Sequence, residues 1–165
     1  QKLCNEAPKP WHKKDITDER LGAIDFYIRN LKTYKPKKDE EYLEGLEIFK
    51  GLDCAKCHKT SLKTVDGFNI EPFTDMLLHD MGEGLSDGRV EFKANEREFR
   101  TAPLWGLALH EKINKKKPRL LHDGRARDFQ EAILWHGGEA EISKQKYMSA
   151  SKEQREKLIK FLERL

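Results

Sequence analysis

Residues 51 to 60 read GLDCAKCHKT, which places the thiols of Cys54 and Cys57 beside the imidazole of His58. So dense a set of ligand-type side chains obliges the surrounding chain to fold around whatever they hold. Three occupants are compatible with the residue types. C-x-x-C-H is the spacing at which two thiols add to the vinyl groups of a haem and the next residue serves as an axial ligand. A structural zinc site needs four ligands, usually as two pairs, and no second C-x-x-C or H-x-x-x-H pair occurs in the chain. A thioredoxin-like dithiol needs a βαβ setting, which the surrounding pattern does not offer. One covalent haem c, with His58 as an iron ligand, is therefore the expected cofactor.

The segment after the motif is suited to wrapping such a group. Residues 59–100 show no sustained period and contain Gly67, Pro72, Gly82, Gly84 and Gly88. An ordered loop of that length is generally functional or packed around something. Elsewhere the pattern is helical. From Thr17, apolar residues at 21, 24, 28 and 31 have helical spacing, with Thr17 or Asp15 as N-cap and Pro36 beyond the end. A helix over 39–51 sets Leu43, Leu46 and Phe49 on one face and delivers the chain to Cys54, with Gly51 at the turn. A short helix is expected over 102–109, with Pro103 early in it. Asp128 caps a further helix, paired with Glu131 as in a capping box, and Gly137-Gly138 end it. Phe129, Ala132, Ile133 and His136 share one face of that helix, and Ser151 with Gln154 opens a last one bearing Leu158, Phe161, Leu162 and Leu165. No strand and no internal repeat is expected. The fold class is mainly α, a cytochrome c-like helical haem domain with long loops, over residues 15–165 as a single domain. Residues 1–14 read as an extended arm.

Composition narrows the partners. Apolar and charged residues each make up 37% of the 165 residues, so the core is economical. A cofactor bound only by the native state adds stability to such a chain. A net charge of +3 argues against a nucleic-acid binder, and the basic run KINKKKPRL (112–120) reads as a solvated loop. No apolar run is long enough to span a membrane. No signal peptide precedes Gln1, so the expectation is a mature exported protein, periplasmic or otherwise extracytoplasmic, or a fragment of one. Of the three cysteines, Cys4 is left over; it is either a free thiol or half of a bridge to another segment or chain.

The second axial position has several candidates: His12, His79, His110, His122, His136, Met76, Met81 and Met148. His12 and His110 lie in charged surroundings. Met81 follows the haem motif at a distance where small cytochromes often place an axial methionine. His136 closes an apolar helical face beside Trp135, and the glycines after it would let a flat ring approach. His136 is preferred, with Met81 or an open position as alternatives. Arg100 and Arg125 are the expected partners of the haem propionates, ahead of Arg89 and Arg127. Trp105 and Trp135 are expected to pack on the porphyrin or the core.

The segments DITDERLGAIDFYIRNL, GLEIFKGLDCAKCH, LLHDMGEGLSDGR, EFRTAPLWGLAL and LLHDGRARDFQEAILWHGGEA occur in an order that resembles the di-haem oxidoreductase family of peroxidase-like proteins. That family is similar to the bacterial di-haem cytochrome c peroxidases. The resemblance runs from about residue 15 to 165 and matches the carboxy-terminal haem domain. It implies a second haem domain, absent from this sequence or supplied by another chain, and such a domain is a possible disulfide partner for Cys4. It also implies an axial ligand at His136, where the related peroxidases carry methionine. Three functions are expected from these residues. The first is an electron-transfer haem domain of a di-haem peroxidase-like oxidoreductase, its iron between His58 and His136, serving a redox partner protein or the second haem. The second is a peroxidase acting on hydrogen peroxide at an open haem. The third is a binding domain that haem merely stabilises.

Overall fold

In a computed structural model, residues 16–32 and 34–165 are described, with the backbone alone for 111 and 114. The expected arm over 1–14, and with it Cys4, His12 and the Asp15 cap, lies outside the described residues. The chain divides into two compact units, Gln1–Thr33 and Tyr34–Leu165. The first contains helix α1 (Asp18–Arg29), whose N-cap Thr17 accepts a hydrogen bond from the Arg20 N–H. Its apolar positions Leu21, Ile24 and Ile28 are exposed and have no core among the described residues of that unit.

The second unit is built on α2 (Glu40–Gly51) and the last helix, α6 (Lys152–Leu162). Asp39 caps α2 by accepting from the Tyr42 N–H, and Ser151 with Gln154 forms a complete capping box on α6. The two helices approach closely because of Gly45: a Cβ there would collide with the Cβ of Phe161. The buried face of α2 is therefore Tyr42, Gly45 and Phe49, while Leu43, expected on that face, is half exposed on its flank. Rings of Tyr42, Phe49 and Phe73 all pack on Phe161 at centroid distances of 5.0 to 5.9 Å. Leu158, Leu162 and Leu165 complete this core, as their spacing predicts.

Residues 59–100 are not strandless. β1 (Leu62–Lys63) pairs with β2 (Asn69–Ile70), and β3 (Leu78–Asp80) with β4 (Glu98–Arg100), both antiparallel. Strands of two or three residues are too short to show an alternating pattern. The helix expected at 102–109 begins later, as α3 (Leu107–Asn114). Thr101 and Leu104 are held extended by N–H bonds to the Leu77 and Pro72 carbonyls, and the left-handed Gly106 (φ 83°) then turns the chain into the helix. Part of the expected basic loop is consequently helical. α4 (Phe129–Trp135) starts at Asp128, which accepts from the Glu131 N–H. The capping box is only half formed, because Glu131 accepts from the N–H of Arg127. α5 (Glu141–Ser149) was not expected: its one buried side chain, Tyr147, leaves no apolar stripe to read. The fold is mainly α.

Candidate functional site

The end of α2 sets the C-x-x-C-H in place. Asp53, in a left-handed conformation (φ 65°), makes the turn that was expected at Gly51. Its carboxylate is tied to Lys146 at 2.8 Å and Lys56 at 2.9 Å, and these bonds hold it below the usual carboxylate range. Cys54, Ala55 and Lys56 then form a single 3-10 turn, closed by the Cys57 N–H on the Cys54 carbonyl, which also accepts from the His58 N–H at 3.0 Å.

Cys54, Cys57 and His58 form part of the wall of a cavity of about 410 Å³, within the usual range for a cofactor site. His136, Met81 and Arg100 line the same cavity. So do Phe129, Ala132 and Ile133, the face of α4 expected to point inward. The long loop and the carboxy-terminal helices thus bring residues far apart in sequence around one space.

Hydrogen bonds fix the state of the histidines. Nδ1 of His58 lies 2.9 Å from the Phe73 carbonyl, and Nδ1 of His136 lies 2.7 Å from the Ala132 carbonyl. A carbonyl can only accept, so each Nδ1 carries the proton. Burial pushes the His58 pKa down to about 4 and lowers that of His136, which leaves both rings neutral near pH 7. In a neutral imidazole with a proton on Nδ1, Nε2 holds the lone pair. Neither Nε2 has a hydrogen-bond partner among the described residues. That is the form in which histidine binds a metal, the second nitrogen anchored by the protein.

His79 is different. Its Nε2 meets Asp75 at 2.9 Å and its Nδ1 meets Glu139 at 2.9 Å. Carboxylates accept only, so both nitrogens are protonated. The bond to Glu139 raises the His79 pKa against the effect of burial, and Asp75 adds to it. No lone pair is left for ligation, and His79 instead lies 3.8 Å from the sulfur of Cys57. Cys57, Asp75 and His79 are close enough to hold a metal ion, but only at the cost of these bonds. Burial raises both cysteine pKa values, that of Cys54 to about 12, so both are thiols at neutral pH.

The glycines after His136 permit a close backbone contact. Gly138 (φ 52°) sits where a Cβ would collide with the Asp80 carbonyl oxygen and lie 2.6 Å from the Gly82 nitrogen. Glu139 locks this contact by accepting from the Asp80 N–H at 3.0 Å as well as from His79. The segment carrying Met81 and the segment carrying His136 are therefore one joined wall.

Three expected residues lie elsewhere. Arg125 does not line the cavity: it bonds Asp123 at 2.6 Å and the Gly84 carbonyl at 2.7 Å, with its guanidinium 4.9 Å from the centre of the Trp135 ring. Trp135 is drawn to that cation, away from the cavity lining, and Trp105 lies outside the lining as well. His122 lines the cavity stacked on Phe99. Met76, Met148 and His110 are exposed. Sequence reasoning missed Glu139, although WHGGEA contains it, and Arg119, which lies in the basic run that reads as solvated surface.

A family model described as "Di-haem oxidoreductase, putative peroxidase" matches residues 13–165. The chain belongs to this family. No curated protein and no solved structure matches it. Di-haem oxidoreductases take haem by name, and the donor set here fits one: two thiols on one wall and two neutral imidazoles with free Nε2 atoms. This member of the di-haem oxidoreductases carries a single C-x-x-C-H in the sequence.

Proposed function

We propose that this chain is a c-type haem electron-transfer domain, with Cys54 and Cys57 as attachment sulfurs and the Nε2 atoms of His58 and His136 as axial ligands. The observation that carries the reading is the matched tautomer of two half-buried histidines that line one cavity with the C-x-x-C thiols. Haem bound there supplies a one-electron couple, set lower by two imidazoles than by a histidine–methionine pair. The protein's share is to hold and to shield. The Phe73 and Ala132 carbonyls orient the two rings, and Phe49, Leu85, Leu104, Ile133, Leu158 and Leu162 keep water from the cavity. Were His58 and His136 both to hold the iron, they would leave no place for peroxide, and the domain would pass electrons to a partner protein or to a second haem domain. Attachment through two thiols also implies an exported, extracytoplasmic location, checked by fractionating cells that produce the chain.

Optical and electron paramagnetic resonance spectra test the ligation. The ferric protein should be fully low spin and unchanged by cyanide or peroxide. His136→Ala should turn it high spin, whereas Met81→Ala should leave it low spin. Prompt binding of cyanide or peroxide by the unaltered protein would replace the electron-relay reading with the peroxidase one. Loss of low-spin character in Met81→Ala alone would move the ligand to Met81, which lines the same cavity.

A further inference from the structure

The charged groups lining the cavity are mostly matched within the protein. Asp53 holds Lys56 and Lys146, Glu139 holds His79, and Lys144 holds Glu141 at 2.5 Å. Arg100 and Arg119 also line the cavity, yet neither reaches a carboxylate among the described residues. Arg100 meets the Met76 sulfur at 3.7 Å, a weak acceptor. Both arginines are exposed, so they stand where the cavity opens to solvent. Their segments are joined. Phe99, next to Arg100, stacks on His122 with centroids 3.9 Å apart and planes at 15°. The loop after Arg119 is closed by pairing of Leu120 with Ala126, and Gly124 packs near the Arg119 Cβ.

We propose that Arg100 and Arg119 form a paired guanidinium site, at the mouth of this cavity, for the two carboxylates of a bound porphyrin. The proposal rests on the haem reading and names the residues that orient the group. A guanidinium offers a planar fork of N–H groups that donates two parallel hydrogen bonds to a carboxylate. The site supplies one fork for each carboxylate, from two segments fixed against each other by ring stacking. The other cations of the lining are already engaged by acidic side chains, and Arg125 is held outside it by Asp123 and the Gly84 carbonyl.

The test uses the full chain with its haem: Arg100→Gln, Arg119→Gln, the double variant, and Arg125→Gln as the control. Haem content is read by the pyridine haemochrome, propionate bonding by the propionate bending band in resonance Raman spectra, and charge by the midpoint potential. Each cavity variant should shift the Raman band and lower the potential, because a lost cation disfavours the reduced state; the double variant should do both further. Arg125→Gln should change neither. Arg100→Lys and Arg119→Lys keep the charge without the fork. They should hold the potential while still moving the band, and they serve if the glutamine variants do not accumulate. A loaded protein whose band and potential are unmoved in the cavity variants overturns the clamp alone, as does an equal shift in Arg125→Gln. A chain that takes up no covalent haem overturns the haem reading and the clamp together.

Discussion

Gly138→Ala tests the joint that holds His136 in place. At φ 52° the residue sits in the left-handed region, where a Cβ costs about 1–2 kcal/mol. The same Cβ would run into the Asp80 carbonyl oxygen and lie 2.6 Å from the Gly82 nitrogen. Both are backbone atoms that cannot swing aside as the end of a long side chain would, so overpacking adds about 1–3 kcal/mol. The two costs together come to about 2–5 kcal/mol. With a urea dependence of about 2 kcal/mol per molar for a domain of this size, the unfolding midpoint should fall by roughly 1–2.5 M. Gly137→Ala is the comparison: its Cβ would lie 2.9 Å from the Met81 carbonyl oxygen but at an ordinary φ of −137°. It should lose less. Urea titrations of the haem-loaded protein, followed by helix circular dichroism and by the Soret band, give both numbers. The alanine at 138 should also bring in a high-spin fraction, since the wall it disturbs carries His136. A Gly138→Ala protein with unaltered midpoint and spectrum would refute the joint.

Other predictions concern the surrounding network and core. The Asp75–His79–Glu139 cluster should stabilise the fold most at mildly acidic pH. The raised His79 pKa means that its contribution is full below its ordinary 6.5 and is lost as pH rises through the folded value. Glu139 is lowered from 4.5 by its bond to His79. Asp75 is raised by burial but lowered overall from 3.8 by bonds from the Leu77 N–H and His79. Those contributions are full above the ordinary values and fade as pH falls through the folded ones. The difference in melting temperature between the protein and His79→Gln should therefore peak between pH 4.5 and 6.5; a flat difference would contradict the pairing. Phe161→Ala removes the ring on which three others pack and should cost about 3–5 kcal/mol in denaturant titrations. Ser151→Ala breaks the complete capping box of α6 and should cost about 1 kcal/mol by the same measurement.

Helices with strong local signals are legible in the residues themselves. Thr17, Asp128 and Ser151 each cap the helix that follows, and Leu158, Phe161, Leu162 and Leu165 form the stripe their spacing implies. Where tertiary contacts decide, the pattern misleads. Ala102 to Leu104 look helical beside Pro103, but bonds from Thr101 and Leu104 to Leu77 and Pro72, far away in sequence, keep them out of the helix. Leu43 looks like core, but Gly45 draws α6 onto the neighbouring face of α2. The short ladders β1–β2 and β3–β4 depend on pairing between segments and leave no trace in local periodicity.

The candidate site shows the same division between residue type and residue environment. C-x-x-C-H names its own chemistry, and His136 stands out because it ends an apolar face. Which of the remaining histidines has a free lone pair is a matter of partners, and partners are tertiary. His79 and His122 occupy nearly identical local sequences, LHDMG and LHDGR, yet one is clamped between two carboxylates and the other stacks on Phe99. The arginines divide in the same way. Arg125, inside the most distinctive segment of the chain, is consumed by Asp123 and the Gly84 carbonyl, while Arg119, at the end of a run that reads as plain surface, borders the cavity. A cation is available to a ligand only when the protein leaves it unmatched, and that depends on every carboxylate within reach. Ion pairing therefore has to be settled across the whole cavity wall before any one arginine is assigned to a ligand. The clamp proposed above therefore takes Arg119 rather than Arg125, and the Raman comparison of the two variants decides it.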